Sequence, residues 1–173
     1  MKHILVGAAL FALPSQAVAL SAKACLTPVE AEALVTYALP SALRAMTKKC
    51  APVLPATTAL IKSGPVIAAR YQVDADKAWP VARVAFDKVS GLELAGILGD
   101  PAAKGLIEAA FATGLADKVK PEDCPKVDRF IDILEPLPTH NMAMLITTLI
   151  DIGQEKDRKN SPLNICPAQA GGN

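Results

Sequence analysis

Residues 27–50 read TPVEAEALVTYALPSALRAMTKKC, and the fold turns on how this stretch is taken. Thr27 and Glu30 stand three apart with Pro28 between them, which is a capping box with proline at the first helical position. A helix therefore starts here and carries Ala33, Leu34 and Tyr37 as far as Leu39. Pro40 then kinks or ends it, because proline removes a backbone donor and its ring clashes with the preceding turn. Ser41 to Lys49 continue as helix, with Leu43 and Met46 one turn apart on one face.

The same punctuation recurs downstream. Cys50-Ala51-Pro52-Val53-Leu54-Pro55 cannot be regular helix, and Thr57 to Lys62 forms a short one before Ser63-Gly64-Pro65 stops and restarts the chain. A helix over Val66, Ile67, Arg70, Tyr71 and Val73 meets a boundary or kink at Trp79-Pro80. Ala82, Ala85, Phe86 and Val89 then recur at helical spacing up to Gly91, a natural C-cap. Asp100-Pro101 opens a helix with Ala103, Leu106, Ile107, Ala110 and Gly114 as its stripe. Val127, Phe130, Ile131 and Leu134 form one face of the next, opposite Asp128, Asp132 and Glu135. Pro136-Leu137-Pro138 ends it, and Thr139 is read as the cap of a last helix striped by Met142, Leu145, Ile146, Leu149 and Ile150.

Alternating strand patterns are absent. The chain is 51% apolar but only 4% aromatic, a balance that favours helices packed through small side chains. The predicted fold is all-α, a single-domain bundle of about six to eight short helices.

Residues 1–19 read as a signal peptide: Met1-Lys2-His3 is the basic start, Ile4 to Leu13 the apolar core and Ala17-Val18-Ala19 the cleavage site. The helical domain is then 20–159, followed by an irregular tail over 160–173. The mature chain has equal numbers of acidic and basic residues, so nothing steers it to nucleic acid or an anionic surface. No integral membrane segment is expected after cleavage. The compartment is periplasmic or extracellular, and the short signal with the alanine-rich composition leans toward a bacterial source.

Cys25, Cys50, Cys124 and Cys166 make an even count in an exported chain, which predicts two disulfides. No zinc-like spacing occurs, and no metal or other cofactor is expected. Four cysteines allow three pairings. The favoured one joins Cys124 to Cys166 across a helical hairpin and Cys25 to Cys50, since shorter loops close more readily. That choice demands a true corner at Pro40. A straight helix over 28–48 would set its ends about 30 Å apart, against a limit near 7 Å between bridged Cα atoms. The separation of Cys124 and Cys166 is similar to the second cysteine pair of plant invertase and pectin methylesterase inhibitors. The first pair of that family is closer in sequence than Cys25 and Cys50, so no function is carried over.

Chemistry-bearing groups are sparse. No Gly-x-Ser-x-Gly motif is present, and the cysteines are committed to bridges, so nucleophilic catalysis is not expected and no catalytic residue is assigned. His140-Asn141 beside a helix start reads as terminus chemistry before it reads as a general base. The three carboxylates Asp128, Asp132 and Glu135 read as a solvated face. Arg70, Tyr71, Trp79, Arg83 and Phe86 gather three of the six mature aromatics and two arginines within seventeen positions, and are the candidate pocket or interface. The expected function is non-catalytic: a protein-interaction module or envelope adaptor, or alternatively a carrier of a small apolar ligand, with a hydrolase using His140 ranking last.

Overall fold

The computed structural model describes residues 25–158 and 161–167. The expected signal peptide, residues 1–19, lies outside them. The described residues form seven α-helices and no strand. These are α1 (Pro28–Cys50), α2 (Ala59–Lys62), α3 (Gly64–Ser90), α4 (Leu94–Leu98), α5 (Asp100–Ala116), α6 (Cys124–Leu134) and α7 (Thr139–Lys156), with a 3₁₀ turn at Pro121–Asp123 before α6.

The capping box forms as read. The Glu30 N–H donates to Thr27 Oγ1 at 3.3 Å, and the Thr27 N–H donates to Glu30 Oε2 at 2.9 Å. The corner at Pro40 does not form. α1 runs unbroken through Pro40, and α3 runs unbroken through Pro80. Each interior proline costs about 3 kcal/mol. Against that, α1 buries Leu34 and Tyr37 before Pro40 and Leu43 and Met46 after it, at roughly 1.5–3 kcal/mol per aliphatic side chain. Burial on both sides of the proline outweighs the break.

α1 and α3 lie antiparallel, since Glu30 near the start of α1 pairs with Lys88 near the end of α3. α5 and α7 also pack on α1, which makes it the central helix. Gly64 is needed where α3 begins, because a Cβ there would sit 2.7 Å from Thr47 Oγ1 of α1. Gly91 closes α3 at φ 71°, the left-handed conformation that glycine adopts without a Cβ penalty.

A continuous α1 of 23 residues is about 34 Å long, so Cys25 cannot reach Cys50. The bridges are Cys25–Cys166 and Cys50–Cys124, which corrects the local pairing expected from loop entropy. One bridge staples each end of the central helix. The likeness in cysteine spacing to the inhibitor family falls with it, because Cys124 does not pair with Cys166. The tail is held as expected, though to a different partner. The Leu26 N–H donates to the Asn164 carbonyl at 2.8 Å, and the Cys166 N–H donates to the Leu26 carbonyl at 2.7 Å. Buried Gln154 of α7 completes the clasp, donating to the Ile165 carbonyl and accepting from the Ile165 N–H, each at 2.9 Å.

The core falls into two clusters along α1. One centres on Leu34, Tyr37, Ala75, Trp79, Ala103 and Ile107, and the other on Leu43, Met46, Leu60, Ile67, Tyr71 and Met142. In the first, the Tyr37 hydroxyl donates to Glu108 Oε1 at 3.1 Å. Burial, then the neighbouring Glu108 carboxylate, pushes this phenol above its ordinary range. The folded chain therefore keeps its proton where an unfolded chain loses it, above about pH 10. The increment of stability that Tyr37 contributes is full below that pH and is lost as pH rises through the alkaline range. Tyr37→Phe should flatten the alkaline limb of a urea-midpoint-versus-pH curve; an unchanged limb would show that another group controls it.

Candidate functional site

The aromatic and arginine cluster singled out in the sequence is divided between the two core clusters. Trp79 packs at a tilt against Tyr37 with ring centroids 5.0 Å apart, and Lys104 Nζ lies 5.4 Å from its ring centroid. Phe86 meets Phe111 edge-on at 6.3 Å, and Arg83 pairs with Asp100 at 3.4 Å. These three knit α3 to α1 and α5. Arg70 and Tyr71 belong instead to the other end of the molecule. The Arg70 guanidinium lies 5.3 Å from the Tyr71 ring centroid and donates to the Glu135 carbonyl at 2.6 Å, while the Tyr71 hydroxyl donates to the Leu137 carbonyl at 3.0 Å.

Those bonds hold the carboxyl end of α6 and the turn after it. The amino end is held by the Cys50–Cys124 bridge and by Asp128, whose Oδ1 accepts from the Leu60 N–H at 2.7 Å. Asp128 is thus a cap for α2 rather than part of a solvated face. Propped at both ends and packed chiefly on α2, α6 spans a gap instead of closing onto α1. The gap is an apolar pocket of about 240 Å³. α1 supplies Leu39, Ala42, Leu43 and Met46, α3 supplies Ile67 and Tyr71, α6 supplies Val127, Phe130, Ile131 and Leu134, and α7 supplies Met142 and Ile146; Glu135 is the one charged lining residue. Phe130 remains 44% exposed at the mouth. Of the five residues the sequence proposed, Tyr71 lines this pocket and Arg70 braces its rim. The other lining residues were legible only as core stripes at helical spacing.

A second, polar recess of about 430 Å³ lies between α1, α3 and the start of α7. His140 Nδ1 sits 2.5 Å from Glu32 Oε1, a partner that sequence spacing does not suggest. The side chain of Thr139 does not cap α7, whose cap position is Pro138. It hydrogen-bonds Asp74 of α3, and this bond, with Lys77 beside it, holds the Asp74 carboxyl below its usual range. Asp74 therefore ties α3 to α7. His140 is 66% exposed along its side chain. These pairs latch α7 to α1 and α3.

Among the described residues no group of three His, Cys, Asp or Glu side chains could hold a metal ion, and no helix is long and apolar enough to cross a membrane. The chemistry available to the apolar pocket is desolvation: its walls can take up a nonpolar group. No family model matches the chain, and no curated protein or solved structure is significantly similar to it.

Proposed function

We propose that this is an exported, non-catalytic helical protein that carries a small apolar molecule in the pocket between α1, α3, α6 and α7. The carrying observation is a concavity with almost wholly apolar walls, held open by covalent and hydrogen-bonded props at both ends of α6. An apolar cavity of about 150 Å³ is enough to take up benzene, so the volume here suits a somewhat larger ligand. The two disulfides fit an oxidising compartment, and with the signal-like residues 1–19 they support the periplasm or the extracellular space, in a bacterium by composition. The adaptor reading takes second place. Phe130 and Ile133 of α6 and Leu149 and Ile152 of α7, all more than two-fifths exposed, are what favours it.

The test is native mass spectrometry of protein isolated from its own envelope or medium without denaturant, with extraction of any retained molecule. A fluorescent naphthylamine titration would accompany it. Wild type is expected to retain or take up apolar material. Ala42→Trp, which places an indole inside the pocket, should weaken uptake by roughly tenfold or more, equivalent to about 1.4 kcal/mol. Thermal melts establish that the variant folds. A wild-type protein that takes up neither natural ligand nor probe, yet captures a protein partner through α6, would put the adaptor reading first.

A further inference from the structure

We infer that the ligand is chain-shaped, a single unbranched alkyl or acyl chain that fills the pocket and continues along α7. This rests on the reading of the pocket as a ligand site and specifies what the site selects. The α7 wall of the pocket ends at Ile146, and the same side chain begins a shallower trough of about 380 Å³ lined by Leu149, Ile150, Gly153 and Pro162. The two concavities share one side chain and run end to end along one helix. A compact ring would fill the pocket alone, whereas a chain is the shape that uses both.

Gly153 is the second observation. A Cβ built there meets nothing within 4 Å, so neither a close approach nor a turn requires glycine at this point in α7, where it weakens the helix relative to alanine. What glycine does provide is an open floor to the trough. From Ile146 to Gly153 the helix rises about 10 Å, the span of roughly eight bonds of an extended chain. Beyond Gly153 the lining turns polar at Asp157 and Ser161, which is where such a chain would end or return to water.

The experiment is displacement of a compact naphthylamine probe by straight-chain alkanols and carboxylates of increasing length, each below its micelle concentration. Wild-type protein is compared with Gly153→Leu. Leucine is a better helix former than glycine and its Cβ meets nothing within 4 Å, so the variant should fold, which a thermal melt checks. In wild type, affinity is expected to rise about fourfold per added methylene until the chain outgrows the trough. In Gly153→Leu the rise should stop several carbons earlier, with the probe and the shortest chains bound as before.

A rise that stops at the same length in both proteins, or branched and cyclic compounds binding as tightly as the linear chain of equal carbon number, would overturn the inference while leaving the pocket reading intact. Failure of probe and chains alike in wild type would sink both. A wild-type dimer that Gly153→Leu converts to monomer in sedimentation would assign the trough to a second copy of this chain and overturn the inference. Lysophospholipids run beside the free acids separate a membrane source from a soluble one; the chain-length dependence supports the inference in either.

Discussion

Replacing Cys50 and Cys124 together with alanine is expected to lower stability by about 4 kcal/mol, the chain-entropy value for a loop closed over 74 positions. That is a large part of the roughly 5–15 kcal/mol typical of a folded domain. Removing Cys25 and Cys166 should cost a comparable amount by the same rule, because that loop spans 141 positions. The two losses should differ in kind. The Cys50–Cys124 bridge anchors the amino end of α6, so its loss should also loosen the pocket wall and weaken ligand uptake. The Cys25–Cys166 bridge lies at the other end of α1, where Leu26, Asn164 and Gln154 back it with hydrogen bonds, so uptake should survive. Urea midpoints, hydrogen exchange in α6 and probe titration on both double variants decide this. Equal loss of uptake in the two would show that the props on α6 do not shape the pocket.

Trp79→Ala is the second large effect, expected at about 3–5 kcal/mol for deleting a buried aromatic. Trp79 is 6% exposed, packs against the Tyr37 ring and has an indole nitrogen with no hydrogen-bond partner. Trp79→Phe therefore breaks no hydrogen bond and should cost far less, in the range of about 1–2 kcal/mol for imperfect refilling of the site. Neither change touches the pocket lining, so Trp79→Phe should bind the probe like wild type. Urea unfolding with titration of the phenylalanine variant separates the alternatives. Loss of binding in a folded Trp79→Phe would restore Trp79 to the functional site.

These two expectations show where the sequence was legible. Trp79 and Phe86 at helical spacing could be placed on a buried face. That they serve a different cluster from Tyr71 follows from the eight and fifteen further residues of α3, about 12 and 22 Å of helix, that carry them toward the other end of α1. Leu43, Met46, Phe130, Ile131, Leu134, Met142 and Ile146 were all visible as apolar stripes. A stripe says that a face avoids water and does not say whether a neighbour covers it completely. α6 fails to cover because its ends are held by Cys124, Asp128 and the bonds from Arg70 and Tyr71, and none of those distances is written in helical periodicity.

What the sequence determined by itself is local: the capping box at Thr27–Glu30, the left-handed stop at Gly91, the all-helical class and the commitment of four cysteines to two bridges. Each depends on groups within a turn of one another, or on composition and compartment alone. The tertiary structure decided the rest. Pro40 and Pro80 look like breaks when judged by their own turn, yet both helices continue because apolar side chains on either side of each proline are buried in the same bundle. That continuity sets the ends of α1 about 34 Å apart. The separation reversed the pairing that loop entropy favoured, stapled the two ends of α1 to different partners and left α6 propped across an open apolar gap.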